Sequence, residues 1–107
     1  MHTLIIEGSL KPDKKDEFLN AWKKEILPTL KKQNGFVKET LLFETENPNR
    51  GVGLSFWKTR EAAQKYHREV FPRLVSSVQD MMQAAPTVRS VDVEASETFR
   101  IAAGKAA

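Results

Sequence analysis

The stretch Phe36-Val37-Lys38-Glu39-Thr40-Leu41-Leu42-Phe43-Glu44-Thr45 is followed by Glu46-Asn47-Pro48-Asn49-Arg50-Gly51, and then by Val52-Gly53-Leu54-Ser55-Phe56-Trp57-Lys58. The middle segment is rich in turn formers, so the flanking runs read as two strands joined by a short connection. Both strands are apolar on both faces. In the first, Phe36, Thr40 and Leu42 share one face and Val37, Leu41 and Phe43 the other; in the second, Val52, Leu54 and Phe56 oppose Gly53, Ser55 and Trp57. A sheet with one solvated face would alternate cleanly with polar residues. Both faces of this pair call for cover.

Upstream, residues 3–10 read as a strand, with Leu4, Ile6 and Leu10 on one face and Ile5 on the other. Lys11-Pro12-Asp13 breaks it and opens a helix in which Phe18, Leu19, Trp22, Ile26, Leu27 and Leu30 recur at three- and four-residue spacing. Pro28 lies inside that pattern and predicts a kink or break near Leu27. Asn34-Gly35 is a helix-ending signal, because glycine accepts the left-handed conformation.

Downstream, Thr59 can cap a helix whose first turn carries Glu61, favoured there by the helix dipole. Ala62, Ala63, Tyr66, Val70 and Phe71 form its apolar stripe and Pro72 interrupts it; Leu74, Val75, Val78, Met81 and Met82 continue a helical pattern to Ala85, before Pro86. A fourth strand is predicted from Thr87 to Phe99, with Val91, Val93 and Ala95 alternating, and residues 100–107 read as a tail.

The order is β-α-β-β-α-β, the split βαβ arrangement of ferredoxin-like folds. The expected class is α+β: one domain over residues 1–99, a four-stranded antiparallel sheet with helices on one face. The other face would then be a larger apolar patch than monomers usually expose. A second copy packed sheet against sheet, a homodimer, is the expected cover.

Composition narrows the chemistry. The chain has 107 residues, 40% hydrophobic and 29% charged, enough for one core. No window approaches the roughly 18 to 20 apolar residues of a membrane span. Met1 to Leu10 shows no basic stretch leading into an apolar run, so a cytoplasmic location is expected. The absence of cysteine excludes disulfides, thiolate catalysis and Cys-ligated zinc or iron–sulfur sites. His2 and His67 are the only histidines, and no metal site is expected. The net charge of +3 is concentrated in lysines between Lys11 and Lys32, interleaved with Asp13, Asp16, Glu17 and Glu25, as on a solvated helix face.

The same element order belongs to an RNA-binding fold, the RRM, and Arg50-Gly51-Val52-Gly53 partly matches its signature. That fold stacks bases on sheet aromatics, and Val52 and Leu54 occupy those places without a π-face. No nucleic-acid partner is expected. No Walker loop, G-x-G-x-x-G or H-E-x-x-H occurs, and Ser55 has no histidine and acid at readable spacing, so a nucleophilic triad is not supported. The carboxylates are scattered and suggest no glycosidase pair.

Three segments together resemble the antibiotic biosynthesis monooxygenase (ABM) family of dimeric α/β-barrel proteins. They are Gly8-Ser9-Leu10-Lys11-Pro12 ahead of Phe18 and Trp22; Leu27-Pro28 leading to Gly35-Phe36-Val37; and Leu54-Ser55-Phe56-Trp57-Lys58-Thr59-Arg60-Glu61-Ala62, running on to Tyr66-His67. The resemblance spans about residues 3 to 98 and implies the sheet-to-sheet homodimer. It also implies cofactor-independent oxidation of a small aromatic or quinol-like ligand. The family's haem-degrading branch uses an Asn, a Trp and a His where this chain has Ile6, Tyr66 and about Val75, so that route is not implied. Its quinol-oxidising and signal-processing branches carry a histidine matching His67, and usually a second one where Pro72 stands here.

An oxidation in which the substrate supplies the electrons needs a dry apolar pocket and a group that takes a proton. His67, an imidazole at the edge of the Ala63–Phe71 stripe, is the expected catalytic residue. Tyr66, Trp57, Trp22 and Ser55 are the expected substrate-binding residues: a phenol, two flat walls and a hydroxyl. Met81 and Met82 are adaptable fillers. The alternative is a dimeric small-molecule-binding or stress-associated domain without catalysis.

Overall fold

The structure, a computed structural model, describes residues 1–97. The elements are β1 (His2–Ser9), α1 (Lys15–Ala21), a π-helical segment (Trp22–Ile26), α2 (Leu27–Lys31), β2 (Phe36–Phe43), β3 (Arg50–Trp57), α3 (Arg60–Glu69), α4 (Phe71–Val78), a 3-10 turn (Gln79–Met81) and β4 (Thr87–Asp92). The sheet is antiparallel in the order β2-β3-β1-β4. This is the expected ferredoxin-like α+β arrangement. β4 ends at Asp92, short of its predicted extent; Phe99 and the 100–107 tail lie outside the described residues.

The punctuation works as its chemistry requires. Gly35 has φ of 81°, and a Cβ there would sit 2.7 Å from that of Ala62, so glycine both turns the chain and lets α3 approach. Thr59 Oγ1 accepts the Ala62 N–H at 3.1 Å, capping α3. Pro72 sits in the first turn of α4, where its missing N–H leaves no gap. The helical pattern predicted to reach Ala85 tightens after Val78 into the 3-10 turn and ends at Met81, and Met82 instead forms a bridge with Leu10.

Pro28 does not break its helix. The chain widens into the π-helical segment just ahead of it, with the Leu27 N–H bonded to the carbonyl of Trp22. Residues four apart drift around an α-helix, which has 3.6 residues per turn. A wider π turn takes up part of that drift. Phe18, Trp22, Ile26 and Leu30 consequently line one side of the layer.

On the helix-facing side of the sheet, Leu4, Leu30, Trp57, Ala63, Tyr66 and Leu74 form the buried core. Trp57 stacks on Tyr66 at 4.9 Å and meets Phe36 edge-on at 5.6 Å. At one corner, buried His2 bridges Asp92 (2.7 Å) and Ser90 (2.5 Å), and Arg60 donates to Asp92 at 2.8 Å. The bonds from His2 and Arg60 hold the Asp92 carboxyl below its usual range. They tie β1 and β4 to the start of α3.

A bulge shifts the β2–β3 register between Phe36 and Lys38. Simple alternation puts Phe36 with Thr40 and Leu42, and Val37 with Leu41 and Phe43. The bulge corrects the first two: Phe36 packs on the core, and Val37 is exposed. Beyond it, Glu39, Leu41 and Phe43 all face the helices.

Candidate functional site

Three glycines on neighbouring strands open a space between the helices and the sheet. Gly8 of β1 lies directly opposite Gly51 of β3, and Gly53 lies opposite Ile6. None has a side chain to fill the layer above it. A Cβ at Gly8 would meet Met82 Cε at 3.0 Å, and one at Gly51 would meet the Phe43 ring at 3.0 Å. The resulting cavity has an interior volume of about 100 Å³ and opens to solvent at its mouth. Phe18, Trp22 and Ile26 form one wall; Tyr66, Phe71 and Leu74 form another.

The lining is almost wholly apolar, which makes its polar members informative. Among the described residues, Glu39 and Tyr66 are the only titratable groups that line the cavity, and no cation does. Glu39 Oε2 is buried without a hydrogen-bond partner among the described residues, and so is the indole nitrogen of Trp22. Unpaired buried polar atoms are uncommon in folded proteins, and here two lie on residues lining the same cavity. The other carboxylate oxygen lies over the glycine floor: a Cβ on Gly53 would come within 3.1 Å of it.

Burial pushes the Glu39 carboxyl up to about 8, because a buried carboxylate has lost its hydration and has no counter-ion. Tyr66 is also pushed up, first by burial and then by the negative charge of Glu39. Tyr66 is the titratable group that α3 presents to Glu39. The lining residues from β1, β3, α1, the π-helical segment, α2 and α4 carry no charge. The arrangement is an apolar cavity with one carboxyl that gains and loses its proton near pH 8.

The five residues expected to act together are divided by the fold. Tyr66 and Trp22 line the cavity. Trp57 is fully buried in the core, and its indole N–H donates to Ser55 Oγ at 3.0 Å; neither residue lines the cavity. The pair is satisfied internally and has no surface to offer a ligand. His67 is exposed, tilted against Phe71 at 5.2 Å, and also outside the lining. The edge of the α3 stripe turns outward there, so the imidazole is exposed and meets Phe71 from outside the cavity lining.

Glu39 was hidden by its chemical type, since scattered carboxylates read as surface groups. Its parity was the available signal: two residues before Leu41 and four before Phe43, it shares their face.

With this geometry in place, comparison with known proteins decides the family. The chain matches the family Antibiotic biosynthesis monooxygenase over residues 1–85. It belongs to the ABM family. Solved ABM-like folds agree. A cofactor-independent oxygenase, SnoaB from Streptomyces nogalater, superposes with a TM-score of 0.74 at 17% identity, covering 89% of this chain and 94% of that one. A monooxygenase from the ActVA-Orf6 gene of Streptomyces coelicolor, solved in complex with Nanaomycin D, gives 0.76 at 10% identity, covering 92% of each chain. A conserved protein from Methanosarcina mazei Go1 gives 0.69 at 23% identity, covering 84% and 89%. These identities establish a shared fold. No curated protein sequence matches this ABM chain.

Proposed function

We propose that this ABM protein is a cofactor-independent monooxygenase acting on a small aromatic or quinol-like substrate held between helices and sheet. One observation carries the reading: an apolar, aromatic-walled cavity whose few polar groups include two unpartnered ones. An electron-rich hydroxyarene reduces oxygen more readily once its proton is removed, so the protein's task is to bind, dry and deprotonate. The description of SnoaB as a cofactor-independent oxygenase supports the same reaction class here. Trp22 and Tyr66, on opposite walls, are the proposed contacts to the ring.

The proposed working unit is a homodimer in the cytoplasm. Ile5, Val52, Leu54 and Phe56 are half-buried on the sheet face away from the helices, and Leu42 and Val91 are exposed beside them. A second copy packed on that face would remove this apolar surface from water. Among the described residues, no helix is long and apolar enough to cross a membrane.

Oxygen uptake with a panel of hydroquinones and anthrone-like phenols tests the reaction. Enzyme-dependent uptake with at least one member is the expected result. Binding without uptake across the panel would overturn it in favour of a non-catalytic small-molecule-binding domain.

A further inference from the structure

Glu39 stands apart from every other carboxylate described. Among the described residues, its Oε2 is buried and unpartnered, its Oε1 lies over a bare glycine floor, and no lysine, arginine or histidine lines the cavity around it, Lys15 standing over the Phe43 ring without entering the lining. Structural carboxylates avoid that state. Glu7, for comparison, pairs with both Arg50 and Arg89. An unpaired buried carboxyl is costly to fold around unless another molecule completes it. The β2 bulge, the glycines and the π-helical segment all contribute to holding this one beside Trp22 and Tyr66.

The missing partner is constrained by what the walls lack. Without a cation to offset a second negative charge, an anionic ligand would face both desolvation and repulsion from ionised Glu39. Above about pH 8, where Glu39 is ionised and can only accept, an ether or plain hydrocarbon would leave Oε2 unpaired. A neutral ring bearing a hydroxyl satisfies all of it: the ring meets the apolar walls and the O–H donates to the carboxylate. Trp22 supplies an unpartnered N–H for an oxygen acceptor on the same ligand.

We propose that Glu39 selects uncharged hydroxyarenes by accepting a hydrogen bond from their hydroxyl, and then takes that proton. In the transfer, the substrate O–H bond breaks and an O–H bond forms on the Glu39 carboxylate. The electron pair stays on the substrate oxygen as an aryloxide delocalised into the ring. Selection stands whether or not oxygen later reacts; the role of the transferred proton rests on the monooxygenase reading.

The test is a binding series followed by quenching of indole fluorescence, to which Trp22 in the cavity wall contributes. At a pH near 8.5, the wild-type protein binds 1-naphthol at least about tenfold more tightly than 1-methoxynaphthalene. The anion 1-naphthoate binds more weakly than either. In Glu39→Leu the naphthol and its methyl ether bind within about twofold of each other, while ether binding persists and reports an intact cavity. Glu39→Gln, nearly isosteric, carries the test if the leucine variant does not fold, and is expected to bind naphthoate more tightly than wild type does. Equal binding of naphthol and ether to wild type, or an unchanged preference in the folded variant, would overturn the proposal. Oxygen uptake separates the two readings. Selective binding without uptake removes the oxygenase and leaves the selection role, whereas uptake indifferent to Glu39 leaves the oxygenase and overturns Glu39 as its proton acceptor.

Discussion

The two faces of the sheet are built from alternate residues of the same strands and meet opposite fates. On the helix side, Gly8, Gly51 and Gly53 replace side chains with space, and half-buried Glu39 holds its Oε2 there, buried and without a partner among the described residues. On the other side, Ile5, Val52, Leu54 and Phe56 fill every comparable position. That face is apolar at its centre and charged at its ends, where Glu7, Arg50, Arg89 and Glu44 form ion pairs and Lys38 lies over Phe56 at 4.9 Å. One face is covered and incompletely filled; the other is filled and uncovered. A pocket needs the first condition and a protein interface the second, so a single β2–β3 hairpin serves both.

The largest expected effect breaks the open face. Leu54→Arg puts a charge at its apolar centre and should weaken the proposed dimer by about a hundredfold or more, read by light scattering against a monomer mass of 12.1 kDa. A wild-type protein already at the monomer mass at micromolar concentration would remove the interface altogether.

The next sharpens the helix side through stability. Glu39 keeps its proton to about 8 in the folded chain, against 4.5 for a solvated glutamate. Below pH 4.5 both states are protonated and nothing is lost; as pH rises toward 8 the unfolded chain alone ionises, and stability falls. Glu39→Gln should therefore be stabilising by up to about 4 kcal/mol more at pH 8 than at pH 4, measured by urea unfolding. A constant difference at both pH values would mean that Glu39 ionises normally.

Gly51→Val should act on the cavity with little cost to the strand, since valine suits β structure. Its Cβ already crowds the Phe43 ring, and the branches would occupy the floor. Naphthol binding should weaken about tenfold by fluorescence titration, and the Phe43 ring must shift to admit the branches, so the unfolding midpoint is expected to fall modestly as well. The smallest effect is expected at His67→Ala: turnover within about twofold of wild type, because the exposed imidazole lies outside the cavity.

Much of the fold was legible because it depends on local chemistry. Gly35, Thr59 and Pro72 marked their boundaries through φ, a side-chain oxygen and a missing N–H, and two-sided apolarity announced the unpartnered face. The site was less legible because it depends on register and on absence. The bulge moved Phe36 and Val37 away from the faces that simple alternation assigns. Trp57 and Ser55 satisfied each other, which no spacing rule reports. The cavity floor is made by glycines, whose contribution is the volume they leave empty.

The central claim is that Glu39 is the proton acceptor of this cavity, and the pH dependence of kcat/KM for oxygen uptake tests it most directly. With a dihydroxynaphthalene between about pH 6 and 10, wild type should show a rising limb with its midpoint near 8. In Glu39→Gln the rate should fall by about a hundredfold or more and that limb should disappear. The same limb at a similar rate in both proteins would contradict the account.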